Sequence, residues 1–332
     1  MRSNALGQFA DIPAFDEAWR LQRETLRLFY SLAQDISGPQ CPAGGIPQGM
    51  LDFRRNVFST FFLAVTRKTV GGDSFMKLYA MVNQGMRAWV TACDNILDDE
   101  YKSVFDFAIA GQGPRMRSVL TLMLADRIVQ RYVLTQFKDL RLADAVLETS
   151  LRALLPSALQ ECQEEARSAA ILSPEQILNE IHRPKTADLF AAPLQLPARL
   201  ESVPQPRLAP ARTALMRFGQ ACQIIDDIKD MAMDVQGRRH NLLVSIIHAE
   251  TDSWTPPAEH EWIAWEKYPH AVQRAQALAR GYFHDAFAAL GELGLPLKPR
   301  QQAGLMALIY TLLGVVQVPR EGEGGCSGSA PC

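Results

Sequence analysis

The sequence has no C-x-x-C pair, no long uncharged apolar run and no excess of either charge, and each absence closes off a class of function. Its six cysteines (Cys41, Cys93, Cys162, Cys222, Cys326 and Cys332) are scattered, so neither a zinc site nor a disulfide framework is expected. Reduced thiols in a cytoplasmic protein are the plain reading. No uncharged stretch reaches the roughly 18 residues that a membrane span needs, and Leu305 to Val318, the nearest candidate, suits a buried helix better. The amino end lacks the apolar run of a secretory signal. With 34 basic and 36 acidic side chains the net charge is -2, and no overall field draws the chain to nucleic acid. Any anion it binds is held by a local cluster.

What is present is apolar residues at the helical period. Trp19, Leu26, Phe29, Tyr30 and Ala33 recur at spacings of three, four or seven between charged neighbours, which predicts a helix over Phe15 to Ala33. Further helices are expected at about Leu51 to Thr69, Ser74 to Asp98, Arg115 to Val133, Leu140 to Ala170, from Ser173 past Lys185, Ala211 to Met233, His240 to His248, Ala258 to Leu290 and Arg300 to Val316. Pro184 is expected to bend its helix, Pro269 to interrupt one, and the three prolines of Glu201 to Pro210 to make a loop. No β-alternating segment of convincing length, fixed-period repeat or long linker is visible, so a single all-α domain over 1–318 with a flexible tail over 319–332 is the expected organisation.

Two acidic clusters stand out. In Asp94-Asn95-Ile96-Leu97-Asp98-Asp99-Glu100, Asp94 and Asp98 fall one turn apart on one helical face, about 6 Å along the axis. Phe218 to Asp230 repeats the arrangement with Asp226-Asp227-Ile228-Lys229-Asp230, preceded by small and apolar residues. A core helix does not gather carboxylates at its negative end unless a cation compensates them. Magnesium prefers carboxylate and water oxygens and is commonly shared with substrate phosphates. One cluster alone reads equally well as a solvated helix end; two, each ending a core-like helix, point to paired metal and diphosphate sites.

In these motifs and their order, the chain resembles the trans-isoprenyl diphosphate synthases (the polyprenyl synthetase family), whose two D-D-x-x-D motifs face each other across an apolar cavity. The second motif matches in full, with Gln223-Ile224 before it, and Lys185-Thr186-Ala187-Asp188 resembles the K-T-A segment whose lysine binds the allylic diphosphate. The resemblance covers about Gly49 to Leu243. It implies the all-α isoprenoid synthase (class I terpenoid synthase) bundle, a homodimer, and three magnesium ions held by Asp94, Asp98, Asp99, Asp226, Asp227 and Asp230. It also implies ionisation of an allylic prenyl diphosphate and its condensation with isopentenyl diphosphate to a short-chain product.

Most of the departures lie in the first half. Asn95 stands where a second Asp is usual, and the basic segment for the non-allylic diphosphate is replaced around Gly49 to Arg55. The double arginine after the first motif is absent, with Arg115 and Arg117 as later substitutes, and Arg238 and Arg239 stand in for a lysine-containing segment. Arginine suits phosphate because its fork is bidentate, yet for Arg54-Arg55, Arg115-Arg117 and Arg238-Arg239 a solvated face is the competing reading. His182 reads as an ordinary hydrogen-bonded histidine. Trp89, five residues before Asp94, is either a cavity floor that limits chain length or a packing residue. A class I terpene cyclase, prenyl transfer to another acceptor, and a non-catalytic partner subunit are the alternatives.

Overall fold

A computed structural model describes residues 12–39, 43–70, 72–98, 101–109, 113–165, 170–251 and 264–315. The expected 319–332 tail, Asp99 and Glu100 lie outside these residues. The long helices are α1 (Pro13–Ser37), α2 (Val57–Thr69), α3 (Met76–Leu97), α4 (Pro114–Phe137), α5 (Leu140–Glu165), α6 (Gln205–Gly237), α7 (Leu242–Glu250), α8 (Pro269–Glu292) and α9 (Pro299–Leu313). Shorter helical pieces fill 174–201, and a 3-10 turn, Phe53–Asn56, leads into α2. Among the described residues the only β pairing is an isolated bridge between Ala43 and Phe107. None of their helices is long and apolar enough to cross a membrane.

The bundle is built around α6, which packs along α8 and touches α2, α7 and the 174–201 segment. Apolar residues at the helical period bury Phe61 of α2, Phe218 of α6 and Phe283 of α8. Phe61 stacks on Phe218 with ring centroids 4.2 Å apart, and Phe283 meets Phe218 edge-on at 5.3 Å. Two glycines permit close approach. A Cβ on Gly219 would stand 2.8 Å from the Phe190 ring, and one on Gly85 would stand 2.7 Å from a Val129 methyl where α3 meets α4.

Proline positions account for the main corrections to the sequence-based expectation. The loop expected over Glu201 to Pro210 is in large part helix, because α6 starts at Gln205 with Pro206 in its first turn. Pro269 begins α8 rather than interrupting it, and Pro13, Pro114, Pro174 and Pro299 also open helices. A first-turn N–H has no intrahelical partner, so proline costs nothing there and its fixed φ already suits the helix. Ser173 caps as expected, in a capping box with Gln176. Around Pro184 the chain widens into two π-helical turns, Ile177–Ile181 and Arg183–Ala187, which absorb the missing donor where Lys185 is presented.

Candidate diphosphate and metal site

Asp94 lies in the last turn of α3, and Asp98 follows that helix as its cap, donating its N–H to the Asp94 carbonyl at 2.9 Å. Asp226 and Asp230 lie inside α6, which runs on to Gly237, so the second cluster sits about two turns before its helix ends. Both pairs line one cavity of about 750 Å³, within the roughly 300–1,000 Å³ of small-molecule sites. Leu97, Leu154, Ala158 and Leu189 supply apolar wall, and Trp89 is half-buried in the same lining.

The lining holds eight carboxylates against four lysines and arginines. Burial, with Asp98 one turn away, pushes the Asp94 carboxyl up to about 6. Burial with Asp230 and Asp227 raises Asp226 to about 7, and burial with Asp227 raises Asp234 to about 8. Oxygen Oδ1 of Asp230 is buried and accepts no hydrogen bond; Lys229 Nζ lies 3.3 Å from it. These are hard oxygen donors short of positive charge, a set that fits a divalent cation such as magnesium. Among the described residues no three His, Cys, Asp or Glu groups form a ready-made metal cluster. A cation here takes part of its coordination from water or phosphate.

The second residue of each motif turns out to be an anchor. Asn95 is buried, its amide donating to the Lys102 carbonyl at 3.0 Å and its Oδ1 accepting the Lys102 N–H at 2.8 Å. An aspartate could accept from Lys102 but, ionised, could not donate back, which gives Asn95 a physical reason. Asp227 is 3% exposed and accepts from His182 Nε2 at 2.9 Å, Gln223 Nε2 at 2.8 Å and the Leu242 N–H at 2.6 Å. Burial alone would raise its pKa; the neighbouring His182 and those hydrogen bonds hold it below the usual range. His182 is thus hydrogen-bonded, as the ordinary reading has it.

Of the sequence-selected cationic and polar residues, Lys185, Thr186, Gln223 and Arg239 line the cavity, and Arg54, Arg55, Arg115, Arg117 and Arg238 do not. Thr186 donates to Gln223 Oε1. Arg117 donates to the carbonyls of Phe107 at 2.7 Å and Ile109 at 2.8 Å, so it staples the segment before α4. Arg239 pairs with Asp98 at 2.7 Å.

Sequence reading missed Glu161, on α5, whose carboxylate meets Lys185 Nζ at 3.1 Å; burial pulls the lysine's pKa down, but Glu161, helped by Glu164 and Asp234, raises it overall. Ser157, one turn earlier, donates to the Lys185 carbonyl at 2.8 Å. Arg87 was also missed. Its guanidinium donates to Asn56 Oδ1 at 2.8 Å, and burial together with the like charge of Arg55 pulls its pKa down, with Tyr30 opposing. Among the described residues neither Arg55 nor Arg87 has a carboxylate within salt-bridge distance. The signal for Arg87 was there: a lone arginine in an apolar run, seven residues before Asp94 and so on its helical face.

Residues 116–241 match the polyprenyl synthetase family model, a segment that contains Lys185 and the second acidic cluster but not the first. No curated protein sequence matches the chain. Among solved structures, geranylgeranyl pyrophosphate synthase from Lactobacillus brevis ATCC 367 superposes with a TM-score of 0.61 at 17% identity, covering 92% of this chain and 98% of that one. Geranylgeranyl pyrophosphate synthetase from the archaeon Geoglobus acetivorans gives 0.60 at 15% identity, over 90% and 99%. Polyprenyl synthase from Caulobacter crescentus CB15, complexed with calcium and isoprenyl diphosphate, gives 0.56 at 17%, over 90% and 97%. At such identities the likeness is one of fold, an all-α bundle of the class I terpenoid synthase type.

Proposed function

We propose, with that shared fold and the family match over 116–241 as premise, that the chain is a magnesium-dependent prenyltransferase that ionises an allylic prenyl diphosphate. The observation that carries the reading is the single cavity lined by Asp94, Asp98, Asp226 and Asp230 with Lys185 beside them. Magnesium, when bound, would offset the charge of the diphosphate and make it a better leaving group. The aspartates would hold the ions, three by family resemblance, with Asp99 a further candidate outside the described residues. Lys185, steadied by Glu161, supplies a fixed positive charge to the diphosphate. Asp227 orders this wall by tying His182 and the start of α7 to α6. Leu97, Leu154, Ala158 and Leu189 keep water from the allylic cation left when diphosphate departs.

Condensation with isopentenyl diphosphate, giving a product of ten to twenty carbons, is favoured over cyclisation by Arg55 and Arg87. Arg87 lies about 10 Å along α3 from Asp94, and a cation pair short of carboxylates suits a second diphosphate. Trp89, in the cavity lining, is the proposed chain-length floor. Exposed Met116, Val119 and Met123 on α4, with Leu151, Leu155 and Leu159 on α5, support a homodimer. A cytoplasmic location is part of the same reading.

Incubation with magnesium and labelled geranyl or farnesyl diphosphate, with and without isopentenyl diphosphate, tests the function. Elongated product that requires isopentenyl diphosphate is expected. A hydrocarbon or alcohol formed without it would favour a cyclase, and absence of both turnover and magnesium-dependent binding would reject the enzyme.

A further inference from the structure

We infer that Arg239 is a resident counter-cation that leaves Asp98 for the diphosphate, so that metal and diphosphate enter the cavity together rather than independently. The inference rests on the metal and diphosphate reading of the cavity and adds how that site is loaded.

The Arg239 backbone is fixed, while its side chain is held in a partly exposed ion pair. Its N–H donates to the Asp234 carbonyl at 2.8 Å, closing α6, and the next N–H, of His240, donates to Glu164 Oε2 at 3.0 Å on α5. Arg238 just before it takes left-handed backbone, φ 54°, which ends the helix, and Arg239 and His240 after it line the cavity. From this pinned turn the guanidinium reaches Asp98 at 2.7 Å, across 141 residues of sequence. The contact joins the helix that carries the second cluster to the cap of the helix that carries the first.

The pair is a weak one to give up. The Arg239 side chain is 30% exposed and that of Asp98 38%, so water screens their attraction. By comparison, Lys185 is held by the less exposed Glu161. A divalent cation at Asp98 must share that carboxylate with a guanidinium, and Arg239 opposes it. A diphosphate in the cavity offers Arg239 more negative charge and several oxygens for a bidentate contact, whereas Asp98 engages it through one oxygen. Arg239 therefore opposes metal alone and favours metal with diphosphate, and by linkage each ligand strengthens the other.

Opposite signs distinguish this exchange from a mere structural tie. Calorimetric titrations of the full chain use magnesium alone, and then inorganic pyrophosphate at saturating magnesium, on wild type, Arg239→Gln and Arg239→Lys. Arg239→Gln is expected to bind magnesium alone about threefold more tightly and magnesium pyrophosphate about tenfold more weakly. Arg239→Lys, which keeps the charge but not the fork, is expected to hold magnesium as wild type does and to recover part of the pyrophosphate affinity. Equal thermal midpoints of the three proteins exclude a folding effect, and Arg239→Lys carries the comparison if Arg239→Gln is unstable. Unchanged or weaker magnesium binding in Arg239→Gln, with wild type binding both ligands, overturns the exchange and leaves the site reading intact. Wild type that binds neither ligand overturns both.

Discussion

Asp94 and Asp98 hang on the last turn and cap of α3, with Asp98 exposed and engaged by Arg239, whereas Asp226 and Asp230 are set inside α6, two turns from its end and backed by the Phe218 core. The second residue of each motif follows the same contrast. Asn95 ties down only the backbone at Lys102, while Asp227 ties together His182, Gln223 and Leu242 from three segments. Two clusters of equal spacing thus play unequal parts: α6 provides a rigid acidic wall, and the end of α3 provides an adjustable one. Ligand-responsive parts are drawn from the less buried end of a structure, and here that is the first cluster.

The largest effect expected from disturbing this contrast is on turnover. Asp226→Asn should lower kcat on the order of 10²–10³-fold, and Asp98→Asn clearly less, measured as product formed from labelled substrates under saturating magnesium. Equal losses would break the distinction between a rigid and an adjustable wall. Next comes stability. Asp227→Ala leaves His182 and the Leu242 N–H without their acceptor, and a loss of about 3–5 kcal/mol is expected in urea unfolding. Asn95→Asp, which makes the first motif read D-D-x-x-D, should destabilise by about 1–3 kcal/mol because the Lys102 carbonyl loses its donor. A gain of stability from that change would refute the anchor role.

A pH series gives a smaller and graded effect. Asp94, Asp226 and Asp234 are raised to about 6, 7 and 8, above the 3.8 expected in the unfolded chain. Groups raised on folding contribute stability below the unfolded value and lose it as pH rises through the folded one. The metal-free protein should therefore lose thermal stability from pH 5 to 8, while magnesium affinity, which needs the ionised carboxylates, rises over the same window. Stability that climbs across this range would contradict the assigned burial. The most local change is Trp89→Ala, which should lengthen the product under the floor assignment; an unaltered product would return Trp89 to a packing role.

Helices and acidic spacings were legible because both rest on local periodicity. Carboxylates four residues apart share a face whatever surrounds them, and Lys185 stood out through its neighbours Thr186 and Ala187. Roles set by distant partners were not legible. Nothing near Asn95 announces Lys102 as a reciprocal partner rather than a lost ligand, and Glu161 meets Lys185 only because α5 packs against the π-helical turns. Proline misled at Pro206 and Pro269 because its helix-breaking and helix-opening roles differ only in where the first turn falls.

The two clusters are proposed to serve one diphosphate. A crystal soaked with manganese and inorganic pyrophosphate tests this most directly through the anomalous scattering of the metal. Manganese peaks beside both the Asp94 and Asp98 pair and the Asp226 and Asp230 pair, with one pyrophosphate between them, are predicted. Peaks beside one pair alone, or a pyrophosphate bound away from both, would contradict it.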